Sequence, residues 1–140
     1  MWFKKDLRVN DHEPLLTASS KGTAIPLYII EPEIINSEQF SSLHWNFIRQ
    51  SLVELNQKLT LLGQPLIVKK GEATEVLQNL QKEISFDCIY SHEETGNSIT
   101  YKRDLRVGEW VNNQNILWKE FTQNGVVRGL KERDGWSRTW

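Results

Sequence analysis

Ala24-Ile25-Pro26-Leu27-Tyr28-Ile29-Ile30, closed at once by Glu31-Pro32, is a short apolar run rich in β-branched residues and bounded by turn formers. Runs of this kind read as β-strands. Three more lie on either side of it, at Trp2 to Phe3, Pro65 to Val68 and Phe86 to Tyr90, and a weaker fifth spans Ile116 to Trp118. Longer stretches of helical period separate them. That alternation is the signature of a parallel sheet joined by crossover helices, so the chain is expected to be an α/β domain. A central parallel strand normally needs about 5 residues, so the first run is expected to lack a few residues of its natural beginning.

The helical stretches carry their own boundaries. Leu43, Phe47, Ile48, Leu52, Leu55, Leu59 and Leu62 step mostly by threes and fours, giving a helix of about five turns that Gly63 ends. Val76, Leu77, Leu80 and Ile84 mark a second helix, opened after Gly71 with Glu72 and Glu75 near its positive end. Asp11 can cap a short helix over Glu13 to Ser20, with Pro14 in its first turn and Gly22 past its end. A last helix carries Tyr101, Leu105 and Trp110. From Gly125 both periods fade, and residues 125–140 read as a basic, Gly-punctuated connector.

With 140 residues the chain is expected to form one domain, residues 1–124, followed by that connector. Its 17 Lys and Arg against 18 Asp and Glu give a formal net charge of −1, which excludes a strongly cationic nucleic-acid binder. The balance is uneven: residues 1–30 sum to +1, 31–98 to −5 and 99–140 to +3. One cysteine, Cys88, excludes an intramolecular disulfide framework and a multi-cysteine metal site, and fits a reducing compartment. No stretch approaches the ~18 apolar residues of a membrane span, so a cytoplasmic protein without membrane contact is expected.

No Gly-rich phosphate loop and no nucleophile elbow occurs. Cys88 and His92 are four apart at a strand end rather than on a helix, which favours a buried thiol over a metal site. His12 reads as a solvated turn residue. His44, at the start of the long helix, falls at the carboxyl edge of the sheet, where open α/β sheets bind ligands, although a plain surface histidine fits as well. Lys4-Lys5-Asp6-Leu7-Arg8 clusters four charges after the first run, either as a structural ion pair of Asp6 with a basic side chain such as Arg8, or as a site for an anionic or polar ligand. Glu93-Glu94-Thr95-Gly96-Asn97 ends the fourth run in the same way, as a solvated loop or as a donor-binding edge.

Trp2-Phe3-Lys4-Lys5-Asp6-Leu7-Arg8-Val9-Asn10-Asp11 resembles the opening signature of the DNA photolyase/cryptochrome family, with lysines at 4 and 5 where the family pattern has arginines. Tyr28-Ile29-Ile30-Glu31-Pro32 resembles its second-strand end, and Val127-Arg128 through Trp136 its linker to the flavin domain. The resemblance implies a Rossmann-like three-layer sandwich with a five-stranded parallel sheet flanked by helices. It also implies an antenna chromophore (a reduced folate, a deazaflavin or a flavin) held by Phe3, Lys4, Ile29, Glu31, His44 and Glu93. FAD, the repair chemistry on pyrimidine dimers and the contact with DNA would then belong to a C-terminal helical domain, leaving no catalytic residue here. The competing expectations are a nucleotide-binding module without light chemistry and a scaffold domain with an empty pocket.

Overall fold

The computed structural model describes residues 1–123. The expected connector, residues 125–140, lies outside them. The chain runs β1 (Trp2–Phe3), α1 (Glu13–Lys21), β2 (Leu27–Ile30), α2 (Pro32–Ile35), α3 (Ser42–Leu61), β3 (Ile67–Lys70), α4 (Ala73–Ile84), β4 (Cys88–His92), α5 (Ser98–Asn113) and β5 (Leu117–Phe121). The strands are parallel but form two ladders, β1-β2-β3 and β4-β5, rather than the expected single five-stranded sheet. A two-residue β1 has few amides and carbonyls to share between two neighbours. Its register goes to β2, with Trp2 opposite Leu27 and Phe3 opposite Tyr28, while β4 lies beside it without a ladder.

Alternation along these strands divides the interior. Trp2, Leu27 and Ile29 join Ile89 with Val76, Leu77 and Leu80 of α4 and Val107 and Val111 of α5 in one apolar cluster. Phe3, on the opposite face of β1, packs with Leu55 and Leu59 of α3, and Leu15 and Tyr28 lie against them. Helices therefore cover both faces of the strands, the arrangement that buries parallel sheets.

Local chemistry sets the helix ends. Ser41 and His44 form a reciprocal capping box at the start of α3. At its end Gly63 adopts φ 96°, its amide donates to the Thr60 carbonyl and the Gln64 amide donates to Leu59, a Schellman closure. In α1 the cap is His12 rather than Asp11: its Nδ1 accepts the Leu15 amide while Asp11 takes the left-handed φ of 49°. The short α2, opened by Pro32, has no counterpart in the hydrophobic pattern.

Candidate functional site

Loops leaving the carboxyl ends of β1, β2 and β4 meet at one edge of the sheet and bring together two charged clusters and a cavity. The first cluster is centred on Asp6. Its Oδ2 lies 2.6 Å from His92 Nδ1 and 2.7 Å from His12 Nε2, and its Oδ1 accepts the Lys4 amide at 2.9 Å. The centroids of the two imidazoles are 4.6 Å apart, and the Phe3 and His12 rings meet in a T-shaped contact with centroids 5.0 Å apart. Because His12 Nδ1 accepts from the Leu15 amide, the His12 proton sits on Nε2; that atom is close to Asp6 but poorly aligned for a hydrogen bond.

Burial works to raise the Asp6 carboxyl; the two imidazoles and the Lys4 amide outweigh it and hold the group well below the usual carboxylate range. Ligand atoms of the three residues lie within 4.8 Å of one another. Metal ligation by His12 Nε2 would require the lone pair that its cap hydrogen bond leaves protonated, so the geometry is that of a clasp, hydrogen-bonded through His92 and the Lys4 amide with His12 in close polar contact. The clasp ties the β1–α1 loop to the end of β4.

The second cluster is built on Arg103 of α5, which is buried. Its Nη1 donates to Glu31 at 2.5 Å, its Nη2 to Glu94 at 3.1 Å and its Nε to Asp104 at 2.8 Å, and its guanidinium lies 4.9 Å from the Trp2 ring. Lys4 extends the network: its Nζ is 3.1 Å from Asp104 and 3.4 Å from Glu120, between the rings of Trp2 and Trp118. Lys5 pairs with Glu94 at 2.9 Å. Burial pushes the Glu31 carboxyl up against the pull of Arg103, and it also lowers the Lys4 ammonium, with Asp104 opposing. Burial works to raise Glu94 as well, but Lys5 and Arg103 outweigh it and the group lies below its usual value.

Between these clusters and the amino-terminal half of α3 opens a cavity of about 610 Å³. Its apolar walls include Phe3, Ile29, Ile34, Phe40 and Phe47, and its polar groups include Glu31, His44, Asn97 and Arg103. Asn97, the N-cap of α5, donates to Gln39 at 2.6 Å and joins the two sides. The volume lies within the range of small-molecule sites, and apolar walls with a few fixed polar groups suit a planar heterocycle.

The structure brings Phe3, Lys4, Ile29, Glu31 and His44 to this cavity. Two of them are already occupied: the Lys4 ammonium is spent on Asp104 and Glu120, and Glu31 on Arg103. Glu93 is not among the lining residues. Its amide donates to the Phe121 carbonyl, and the next residue, Glu94, faces the cavity instead. The expected Asp6–Arg8 pair does not form either, because the histidines reach Asp6 first and Arg8 donates to the Asp11 carbonyl at 3.2 Å. His12 is buried rather than solvated, and Cys88 is only partly buried.

Arg103 escaped the sequence reading; His92 was weighed only as a metal partner of Cys88, and Glu94 only as part of the charged loop at 93–97. A signal for Arg103 was present: positions 100, 103, 104, 107 and 111 share one helical face, so Val107 and Val111 place Arg103 and Asp104 inside.

The fold and the cavity define a class first: a layered α/β domain with a cavity at the carboxyl edge of parallel strands. The DNA photolyase family model matches residues 1–131, and the chain belongs to that family. A cryptochrome DASH from Synechocystis sp. is 34% identical over 117 residues, 75% of this chain and 23% of that protein. One from Gloeobacter violaceus is 31% identical over 113 residues, 76% of this chain and 23% of that protein. Among solved structures, a Synechocystis cryptochrome superposes with a TM-score of 0.78 at 26% identity, covering 86% of this chain and 26% of that one. An archaeal photolyase from Sulfolobus tokodaii, described with two FAD molecules and a novel light-harvesting cofactor, gives 0.76 at 28% identity, covering 86% of this chain and 28% of that one. The chain spans about a quarter of these relatives' length and corresponds to the N-terminal domain of a photolyase or cryptochrome, not to a separate nucleotide-binding module. No helix among the described residues is long and apolar enough to cross a membrane.

Proposed function

We propose that this domain holds the light-harvesting chromophore of a blue-light-driven photolyase or cryptochrome. The observation that carries the reading is the cavity of about 610 Å³ at the carboxyl edge of β1 and β2, walled by Phe3 and Ile29 and edged by Glu31, His44 and Arg103. A reduced folate, a deazaflavin or a flavin fits its apolar walls; the S. tokodaii photolyase, for which a light-harvesting cofactor is described, supports the comparison. When bound, such a chromophore supplies near-ultraviolet and blue absorption and passes excitation to an acceptor.

The chain's own residues bind and orient it. Phe3 and Ile29 enclose the ring, His44 and the carboxyls of Glu31 and Glu94 offer hydrogen bonds to its edge, and Arg103 keeps those two carboxyls in place. Lys4 acts one step behind by fixing Asp104, and Glu93 supports the site only through its backbone. The acceptor, an FAD held by a C-terminal helical domain, and the contact with DNA belong to the rest of the protein; a net charge of −1 gives this chain few phosphate contacts.

The test is a fluorescence titration of the chain with each of the three chromophores. At least one binds, and Ser51→Trp, which sets a bulky ring into the cavity from its α3 wall without touching the core, abolishes its binding. If none binds, or if Ser51→Trp leaves binding intact, the reading fails and a scaffold role for the domain replaces it.

A further inference from the structure

One side of the cavity rim is tied to the rest of the fold by a single side-chain hydrogen bond. Ser37, Gln39 and Phe40, which all line the cavity, lie on the segment that joins α2 to α3. Both ends of that segment are fixed. At one end Arg103 holds Glu31, and Arg106 holds Glu33 of α2 while also reaching Glu72 at the start of α4. At the other end Ser41 and His44 close the capping box of α3. Between these anchors the hydrogen bonds are internal: the Ser37 hydroxyl donates to the Ile34 carbonyl at 2.7 Å, and the Phe40 amide to the Ser37 carbonyl at 3.0 Å. Among the described residues, the one hydrogen bond that joins residues 36–40 to another part of the fold runs from Asn97 Nδ2 to Gln39 Oε1, at 2.6 Å.

The donor half of that bond is preset. As the N-cap of α5, Asn97 Oδ1 accepts the Ile99 and Thr100 amides at 3.1 and 3.2 Å, which turns Nδ2 toward Gln39. Gln39 is exposed and water competes for both partners, so a neutral bond of this kind holds the segment closed by only a severalfold preference. We propose that residues 36–40 are a strap across the cavity mouth, latched by the Gln39–Asn97 bond, and that release of the latch admits and discharges the ligand. Phe40 travels with the strap, so opening takes an apolar wall off the mouth. The strap concerns access to the cavity and is a property of the empty chain, so it stands or falls apart from the chromophore reading.

The test needs no ligand. Ser51 lines the cavity from α3, about 15 Å along the helix from Ser41 at the rim. A thiol placed there by Ser51→Cys, with Cys88→Ser removing the one natural cysteine, reacts with a bulky maleimide only while the strap is open, so its labelling rate reports the open fraction. In this background Gln39→Ala is expected to label about fivefold faster. Gln39→Glu keeps an acceptor for Asn97 and labels at the background rate. Asn97→Asp keeps the cap of α5, and the Gln39 amide, turned over, donates to the carboxylate, so this variant also labels at the background rate. The double variant, Gln39→Glu with Asn97→Asp, sets two carboxylates face to face with no donor and labels at least as fast as Gln39→Ala. Both single changes conserve side-chain size and the helix cap, so that pattern separates a direct latch from altered bulk. The strap is overturned if the background thiol reacts as fast as a free one or if Gln39→Ala leaves its rate unchanged. It is overturned equally if either conservative single variant labels as fast as the double.

Discussion

Helices α4 and α5 lie against the same apolar cluster, yet they bury different chemistry. On α4 the inward face is Ala73, Val76, Leu77 and Leu80, an uninterrupted apolar stripe. On α5 it is Thr100, Arg103, Asp104, Val107 and Val111, while Tyr101 and Leu105 face solvent. The amino-terminal half of α5 borders the carboxyl edge of the strands, where the backbone ends and loop carboxylates converge. Its carboxyl-terminal half covers the apolar middle of the sheet. One helix is thus a site wall for two turns and a core element for the next two, whereas α4 is a core element throughout.

The strongest way to break this contrast is to remove the central charge of α5 and the central leucine of α4. Arg103→Leu leaves Glu31, Glu94 and Asp104 without their shared cation in a buried setting and is expected to cost about 3–5 kcal/mol. Leu77→Ala, at a position 1% exposed, opens a cavity and is expected to cost about 2–5 kcal/mol. Chemical denaturation measures both. The two differ in what survives: Leu77→Ala keeps the ligand edge, so chromophore affinity falls only with stability, while Arg103→Leu loses affinity even under conditions where it is folded. Equal retention of affinity in both variants would remove the distinction between site wall and core.

Asp6 gives a pH handle on the same edge. Its folded carboxyl lies below the unfolded-chain value of 3.8, so its clasp contributes full stability above that value and loses it as pH falls through the folded value. Asp6→Asn is expected to cost about 1–3 kcal/mol at neutral pH, with a difference from the unmodified chain that shrinks steadily below about pH 4. Unfolding midpoints from pH 7 to pH 2 give the curve, and a constant difference across that range would deny the carboxylate its role. Arg8→Ala serves as the control, because the Arg8 side chain donates to the Asp11 carbonyl and not to the Asp6 carboxylate, while its backbone amide, which does bond the Asp6 carbonyl, is kept.

These effects fall where the sequence was hardest to read. Periodicity located α3 and α4 because their buried residues are leucine, valine and alanine at helical spacing. It misjudged α5, whose exposed Tyr101 and Leu105 stand out as apolar while the buried face is charged. The carboxyl edge itself was legible from the alternation of strands and helices and from the charges after Phe3, and Phe3, Ile29, Glu31 and His44 do line the cavity. What was not legible is pairing. Asp6 chooses His12 and His92 over Arg8 because the turn of its own loop and the end of β4, far away in the chain, deliver an imidazole each within 3 Å of it, information carried by the fold and not by neighbouring letters. The same limit made Glu93, rather than Glu94, look like the lining carboxylate, since one step along a strand end reverses the face.

Gly96 sharpens the boundary between the site and its support. An ideal Cβ there would lie 2.6 Å from both Lys5 Nζ and Thr100 Oγ1 and 2.8 Å from Glu94 Oε1. A methyl group therefore pushes apart the Lys5–Glu94 pair that closes one side of the cavity mouth. Lys5 can swing away into solvent, but Thr100 is buried, so Gly96→Ala is expected to cost about 1–2 kcal/mol and to weaken chromophore binding beyond that loss. Gly22→Ala is the matched control, because nothing lies within 4 Å of a Cβ at that position. Equal behaviour of the two alanine variants would mean that the loop at 93–97 accommodates the methyl without disturbing the site.

The smallest effect is expected on the outer face of α5, and it tests the contrast most directly. Leu105 is 52% exposed, one helical step from residues that are buried. If the inward face is the charged one, trimming Leu105 to alanine removes little buried area, and alanine's helix propensity is slightly the better, so the change in stability stays within about 0.5 kcal/mol. Val107→Ala, two residues on and fully buried, removes methyl groups from the apolar cluster and costs about 1–2 kcal/mol by the same measurement. The order of the two variants is the discriminating result, because an apolar stripe led by Tyr101, Leu105 and Trp110 would make Leu105 the costlier position. If Leu105→Ala proves more damaging than Val107→Ala, the helix is rotated from the orientation that buries Arg103, and the site built on that guanidinium has to be rebuilt on the opposite face.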